Sequence, residues 1–469
     1  MRAKLSLGGT IYTRIFSIIV FISSFTAILI CLLLKTSENR ILALLPLTYG
    51  VLFFLSLKNR KYLNNISLSI INISAFFRYI LYPVIIALAL NSGEGYSFDH
   101  KCVYYLIYEL FGVFLVIEIF GHKLNVEKLE GESATKLMAP LGVPNLCILV
   151  LLVPILLVFP SLITRFSVSL DVEKLTSTLG IVEILFTMGI WVLFVFLLIQ
   201  LSKFKDRSPY INIIGFIFAA AVGVYYVLFN SISNENVRRW QIISCGLAIL
   251  YVLLRLFPTK KRLIFIWGTV GLLIAVILGS FIKFGVRISA SNFVSEYLNL
   301  EHFTEYFGGM RNITTALNIF DDVPASQGIR STLTDLFSGV PIISSFFEFD
   351  TYSTPAIFQS SVGRTDIICP LTAQSIAHFG VIGTPVLAMI MTFLAITFNS
   401  AVKKTGNLFS AYVLIELVVF FSLFMELNTS IILGKLWIRL LFLAMQPLDD
   451  RTKLKFIWHR GSTVRKTEN

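Results

Sequence analysis

Long apolar runs separated by short polar breaks make up most of the chain. A helix needs about 20 apolar residues to cross a bilayer, so a run of that length predicts a transmembrane helix. Such runs predict twelve helices, at residues 14–34, 41–57, 63–90, 101–121, 144–164, 177–202, 209–230, 239–257, 263–282, 376–398, 407–427 and 430–447. No small-residue cleavage site follows the first run, so we expect a retained helix and not a removed signal peptide. The pattern predicts an all-α fold, a polytopic integral membrane bundle of about twelve transmembrane helices.

One long polar segment interrupts this pattern between the ninth and tenth predicted helices. Its length allows short amphipathic helices, for example at residues 291–300 and 328–337, and its phenylalanines suggest that it lies against the membrane surface. No soluble domain is predicted at either end of the chain. We therefore expect four parts: a bundle of about nine helices at 1–282, the polar segment at 283–375, three helices at 376–447 and a basic tail at 448–469.

Composition supports a membrane protein and argues against several kinds of site. Hydrophobic residues make up 56% of the chain and charged residues 14%, and the mean hydropathy is +0.80. A soluble domain has about 25% charged residues. The five cysteines and five histidines are scattered without a CxxC or HExxH spacing, which favours neither a disulfide framework nor a zinc site. We expect no cofactor.

The net charge of +12 is explained by topology. If the amino terminus is cytoplasmic, every cytoplasmic segment is basic, including residues 203–207, 260–262 and the tail, whereas residues 91–100 and 428–429 on the other side carry no lysine or arginine. Positive charge concentrated on one side is typical of cytoplasmic loops. The distribution predicts that both termini are cytoplasmic and that the polar segment is extracytoplasmic. It argues against nucleic acid as a partner.

The polar segment contains arginine but no lysine between residues 284 and 374. Its arginines are Arg287, Arg311, Arg330 and Arg364. A guanidinium group binds phosphate oxygens bidentately, and an ammonium group does not, so the pattern favours a pyrophosphate ligand. The alternative is a segment folded by ion pairs, because it also contains nine acidic residues.

Two acidic pairs and one histidine are candidate bases. Asp321-Asp322 and the pair Glu348 and Asp350 could hold a metal ion or raise one another's pKa, although such pairs are commonly solvated turn residues. His378 lies at the start of the tenth predicted helix, where it could reach the polar segment. A histidine packed at a helix end is the alternative.

Charged residues also occur inside predicted helices. Arg78 lies near the middle of one, and Lys435 and Arg439 are one turn apart in another. A charge at the bilayer centre costs about 2.5–3.5 kcal/mol, so it usually has a partner or a function. The candidate partners are Glu109, Glu118, Glu183, Glu416 and Glu426. Structural ion pairs and a cationic, water-filled cavity are the two interpretations.

Several stretches resemble the O-antigen polymerases, the Wzy type of oligosaccharide repeat-unit polymerase. They are FFRYILYP at 76–83, GGMRN at 308–312 and SVGRTDIICPLTAQSIAHFGVIGT at 361–384. In that family an arginine-rich periplasmic loop precedes a helix that opens with an FG-x-x-G element, which Phe379 to Gly383 match here. The layout of about twelve helices with one long loop before the last few is similar along the whole chain.

The resemblance implies a glycosyltransferase that uses no nucleotide sugar. It would act in the bacterial inner membrane and join oligosaccharide repeat units carried on undecaprenyl pyrophosphate, with release of that lipid. Arg311, Arg330 and Arg364 would bind the pyrophosphate, with Arg78 as a fourth ligand. The base would be Asp366 or His378, no metal is implied, and a chain-length regulator is an expected protein partner.

Three other functions fit parts of the pattern. O-antigen ligases share the layout and use loop arginines with a loop histidine, but they usually have a longer spacing from that histidine to a glycine pair than His378 has to Gly380. A flippase or another secondary transporter predicts two similar halves, which the sequence does not show. A structural membrane protein would not need arginines within the membrane and the polar segment.

Overall fold

The chain is predominantly helical in the part that the computed structural model describes. The described residues are 3–34, 37–56, 65–92, 97–121, 143–158, 178–203, 209–233, 236–237, 239–257, 260–284, 309–321, 325–337, 352–363, 367–405 and 408–444. Short irregular links such as residues 367–370 join some of the helices, and one short hairpin is present, in which β1 (Ile232–Ser233) pairs antiparallel with β2 (Asn236–Val237). The predicted all-α class is confirmed at this level.

The helices before the polar segment follow the predicted apolar runs closely. They are α1 (Ala3–Leu33), α2 (Ser37–Leu42), α3 (Leu44–Ser56), α4 (Ile66–Phe76), α5 (Tyr82–Ser92), α6 (Lys101–Phe120), α7 (Val143–Val158), α8 (Thr178–Lys203), α9 (Pro209–Ser231), α10 (Arg239–Leu256) and α11 (Lys261–Phe284). A π-helical turn, Phe77–Leu81, joins α4 to α5 without ending the helix.

The polar segment and the carboxyl-terminal part also contain helices. They are α12 (Met310–Asp321), α13 (Ala325–Phe337), α14 (Thr354–Val362), α15 (Leu371–Phe379), α16 (Val386–Lys404), α17 (Leu408–Ser422) and α18 (Thr429–Ala444). The helix predicted at 328–337 is therefore present as α13, which begins three residues earlier. The helix predicted at 291–300 lies outside the described residues.

Four helical stretches within the described residues are long and apolar enough to cross a membrane. They are Arg14–Leu33, Ile66–Asn91, Lys101–Phe120 and Val381–Lys404. Large apolar side chains on such helices point away from the protein core, as Phe21 does on α1, where it is 60% exposed. On α11, Trp267 is 68% exposed. Contiguous exposed apolar surface of this kind is typical of contact with lipid, which supports a membrane protein.

The tenth predicted helix, at 376–398, is wrong as a single element. The chain forms α15, turns at Gly380, makes a 3₁₀ turn at Val381–Gly383 and then begins α16. Gly380 has φ 71° and ψ −177°, a conformation that is essentially restricted to glycine and ends the helix. The predicted boundary between residues 375 and 376 consequently falls inside α15.

Two helices organise the packing. In α17 nearly every residue is buried, and this helix packs against α4, α10, α16 and α18 in the centre of the bundle. The short α15 packs against α12, α13 and α14 from the polar segment and against α6 and α16 from the bundle. As a result, α15 joins the polar segment to the bundle.

Candidate functional site

The carboxyl-terminal end of α15 holds His378 against a carboxylate of the polar segment. His378 Nε2 lies 3.1 Å from Asp335 Oδ2 on α13, and the two side chains are 1% and 2% exposed. The sequence placed His378 where it could reach the polar segment, and this contact shows that it does so. Sequence analysis did not single out Asp335.

Four further donors surround the Asp335 carboxylate. Ser353 Oγ donates to Oδ1 at 2.8 Å and the Thr354 backbone N–H donates to Oδ1 at 3.2 Å. The Thr354 hydroxyl donates to Oδ2, and Gln374 Nε2 lies 3.5 Å from the same oxygen. Hydrogen bonds to a carboxylate compensate for the water that it loses on burial. The site is therefore built to hold a buried negative charge.

Gln374, in the middle of α15, connects this cluster to the bundle. Its Nε2 donates to Thr354 Oγ1 at 2.8 Å and to Thr429 Oγ1 at 3.0 Å. Its Oε1 accepts the backbone N–H of Thr429, the first residue of α18, at 3.0 Å. The first N–H groups of a helix have no partner within the helix, so the Gln374 amide supplies one for α18.

The amino-terminal end of α15 contacts a second buried cluster, around Arg78. Arg78 Nη1 lies 3.1 Å from Glu109 Oε1, and Nη2 donates to Thr372 Oγ1 at 2.8 Å. The Thr372 hydroxyl donates in turn to Glu109, as does the Tyr79 hydroxyl at 3.3 Å. Arg78 and Glu109 are almost completely buried. The guanidinium charge therefore has a carboxylate partner inside the bundle.

The π-helical turn presents Arg78 to this cluster. The backbone N–H of Tyr82 donates to the carbonyl of Phe77, five residues earlier, in place of the usual four. The widened turn shifts the rotation of the residues that follow, relative to a regular helix. Such turns are frequent at functional sites, and this one carries the only charged residue of the FFRYILYP stretch.

The exposed arginines of the polar segment lie on helices that pack against α15. Arg311 is in the first turn of α12, and Arg330 is on α13, one and a half turns before Asp335. Both side chains are exposed, and the Arg330 guanidinium lies 3.7 Å from the centre of the Tyr352 ring. The structure thus brings the helices of Arg311 and Arg330 to the helix that carries His378. Arg287, Arg364 and Asp366 lie outside the described residues.

The two predicted acidic pairs lie mostly outside the described residues. Among the carboxylate pairs, Asp322, Glu348 and Asp350 lie outside the described residues, and the side chain of Asp321 is not described. Within the described part of the chain, no group of three or more histidine, cysteine or acidic residues could hold a metal ion.

Cys369 lies near Asp335 but is not a candidate nucleophile. Its side chain is fully buried. Burial raises the pKa of the Cys369 thiol well above its ordinary value, and the negative charge of Asp335 raises it further. Because the thiolate is the reactive form of cysteine, Cys369 contributes packing to this site and not covalent chemistry.

A third buried charge cluster lies within the bundle and is a structural ion pair. Arg439 Nε donates to Glu416 Oε2 at 2.9 Å. Tyr412 and Cys245 donate to Glu416 Oε1 at 3.0 and 3.1 Å. Glu109 and Glu416 were among the five predicted partners of the buried arginines. The ion-pair interpretation therefore describes both Arg78 and Arg439.

Comparisons of the chain with protein-family models, with curated proteins and with solved structures give no significant match. The function is therefore inferred from the geometry around α15 and from the resemblance of the short stretches quoted above.

Proposed function

We propose that this protein is a glycosyltransferase of the bacterial inner membrane that polymerises lipid-linked oligosaccharides. It joins repeat units carried on undecaprenyl pyrophosphate at the periplasmic face and releases undecaprenyl pyrophosphate. In this proposal about twelve helices cross the membrane, both termini are cytoplasmic and the polar segment is periplasmic. The four apolar helices of membrane-spanning length support the general statement that the chain is a membrane protein.

One observation carries the proposal: exposed arginines and a buried histidine–carboxylate pair occur around the same short helix. Pyrophosphate is the leaving group, and its negative charge grows as the bond to the sugar breaks. Preorganised donors directed at developing charge are usually the largest contribution to catalysis. In the proposal Arg311 and Arg330, with Arg364, bind the pyrophosphate, and the exposure of the first two leaves them accessible to it.

The acceptor hydroxyl needs a base, and His378 is the candidate that lies within the described residues. Neutral imidazole is the commonest general base in proteins. Asp366, the other candidate, stays a prediction from sequence. The role of Arg78 as a fourth pyrophosphate ligand also stays a prediction. Its contacts with Glu109 and Thr372 support a different role, in which Arg78 positions α15.

Ligation of a glycan to a lipid A-core acceptor is the second candidate. The donor, the leaving group and the need for a base are the same, so the arginines and His378 would serve either reaction. The short spacing from His378 to Gly380 favours polymerisation. The two functions differ only in the acceptor.

The first prediction concerns the exposed arginines. Arg330→Ala is expected to slow chain extension about 100-fold, because a donor to the leaving group is lost, and Arg330→Lys to recover only part of the rate, because an ammonium group is not bidentate. The assay uses purified protein in nanodiscs with a lipid-linked repeat unit, with and without EDTA, and separates the glycolipids on a gel. Arg311→Ala is tested in the same way.

Arg40→Ala is the matched control, because Arg40 is also an exposed arginine but lies on α2. A ladder of longer glycans that survives the Arg311 and Arg330 variants would exclude them as pyrophosphate ligands. Product only after a lipid A-core acceptor is added would establish a ligase. The absence of product with either acceptor would contradict an enzyme and favour transport.

A further inference from the structure

Asp335 and His378 are 43 residues apart in sequence, yet their side chains form one buried pair. Among the described residues, Ser353, Thr354 and Gln374 are neutral side-chain donors to Asp335. Of these contacts, the one with His378 is the contact through which the carboxylate can affect a candidate base.

The geometry fixes the tautomer of the histidine. An ionised carboxylate can only accept hydrogen bonds, so the ring nitrogen that faces it, Nε2, must carry a hydrogen. In the neutral ring the lone pair is then on Nδ1. Within the described residues Nδ1 is buried and has no hydrogen-bond partner. Other buried polar atoms of the described residues also lack a partner, and Nδ1 is the one among them that belongs to a candidate base.

We propose that Asp335 is a positioning residue that orients the His378 ring and holds it in the Nε2–H tautomer, with Nδ1 as the general base. This inference rests on the proposed transferase function. The acceptor O–H bond breaks and its proton passes to Nδ1. The acceptor oxygen bonds to the anomeric carbon, and the bond from that carbon to the phosphate oxygen breaks, with its electron pair leaving on undecaprenyl pyrophosphate. Asp335 then stabilises the imidazolium that results.

The burial of the pair fits this assignment. The His378 side chain is 1% exposed, so Nδ1 is shielded from bulk water. An acceptor hydroxyl that reaches Nδ1 would meet a nitrogen with no competing partner in the described residues. The neutral donors around Asp335 prevent the carboxylate from rotating away from Nε2. The same hydrogen bonds connect α13, α14 and α15. A purely structural Asp335 would make these connections as well, so the test must distinguish a positioning role from a structural one.

The test reads the tautomer directly. Full-length protein labelled with ¹⁵N-histidine is reconstituted in nanodiscs, and the His378 signals are assigned by comparison with His378→Gln. The wild type is expected to show the Nε2–H form. In Asp335→Asn the side-chain amide can donate as well as accept, so the preference for this tautomer should be lost. Asp335→Glu should retain it.

Activity provides the second readout. Asp335→Asn is expected to lower kcat about 100-fold or more with little change in KM, because general base catalysis contributes about 10²–10⁴-fold. Asp335→Glu should recover part of the loss. The matched control is Asp99→Asn, because Asp99 is a carboxylate outside this cluster whose Oδ1 accepts the backbone N–H of Lys101 at 2.8 Å.

The outcomes separate this inference from the proposed function. An Nδ1–H tautomer in the wild type would overturn the inference even if polymer forms. An unchanged tautomer and an unchanged kcat in Asp335→Asn would overturn it as well. If the tautomer responds as expected but no glycan is extended or transferred, the positioning by Asp335 stands and the transferase function fails.

Discussion

At the scale of single residues, the His378–Asp335 pair differs from the Arg439–Glu416 ion pair inside the bundle. Glu416 in the bundle has partners on both oxygens, from Arg439, Tyr412 and Cys245. The His378 ring, in contrast, has a partner on only one nitrogen within the described residues. The open Nδ1 is the position at which the proposed mechanism places the proton of the acceptor hydroxyl.

Cys369 gives a prediction about pH at this scale. Its pKa lies well above the ordinary 9.0, because burial and the Asp335 charge oppose the thiolate. The pKa is higher in the folded state than in the unfolded state. The thiol therefore has no effect on the pH dependence of the free energy of unfolding well below pH 9, and it makes this free energy fall as the pH rises above 9. We expect a variant with Cys369 as its only cysteine to resist iodoacetamide between pH 7 and about 9 in nanodiscs, and to react after denaturation.

The denatured protein provides the matched control, because the same thiol is then accessible to iodoacetamide. Modification of Cys369 at pH 7 in the folded protein would contradict the placement of this thiol. Mass spectrometry of the labelled peptide gives the modified fraction in both cases.

At the scale of elements, the FG-x-x-G stretch is explained by two different requirements for glycine. Gly380 adopts φ 71°, which disfavours any side chain. Gly383 has no such φ, but a Cβ atom there would lie 2.1 Å from Phe379 Cβ. The first glycine is needed for backbone conformation and the second for space. Both permit the sharp turn from α15 into α16, which sets the position of His378.

Substitution of either glycine by alanine should therefore destabilise the protein. We expect Gly380→Ala and Gly383→Ala each to cost about 1–3 kcal/mol, measured as a lower midpoint of thermal unfolding in detergent. Gly271→Ala in α11 is the control, since a Cβ there meets nothing within 4 Å. It should leave the midpoint unchanged or raise it, because alanine is the better helix former. Unchanged midpoints for all three would contradict the turn described here.

The helix positions could be predicted from the sequence because most apolar runs end where polar residues begin. The break at Gly380 was missed because the prediction treats SIAHFGVIGTPVLAMI as one apolar run, although Gly380, Gly383 and Pro385 are residues that commonly end a helix. Its conformation depends on the packing of Phe379 against Gly383. Periodicity does not report such a contact.

The candidate site was only partly predictable for a similar reason. The sequence pointed to His378 and to Glu109 as one of five partners for a buried arginine. It did not separate Asp335 from the other acids of the polar segment, since burial of Asp335 comes from contacts with residues 353, 354, 374 and 378. In the structure α13 buries Ser331, Thr334 and Asp335 and exposes Leu333 and Leu336, which is the reverse of the amphipathic pattern that sequence reasoning assumes.

At the scale of the whole molecule, the proposed orientation makes a prediction about labelling. If both termini are cytoplasmic, Arg330 is on the outer side and Lys404, at the end of α16, is on the inner side. Both side chains are exposed. In a background without native cysteines, Arg330→Cys should react in whole cells with a membrane-impermeant maleimide, and Lys404→Cys should react only after the membrane is permeabilised. The reverse pattern would invert the topology and place the candidate site in the cytoplasm.

The hydrogen bond from the Thr429 backbone to Gln374 has a consequence for how this architecture can diversify. Thr429 begins α18, so the start of this helix is held by its own Asn428, which accepts the Ile431 N–H, and by Gln374, which lies within the polar segment 283–375. A recombination event that exchanged only residues 283–375 between two such proteins would replace Gln374 and keep the α18 that it contacts. The unit that must be inherited together therefore extends past residue 375 to the first turn of α18.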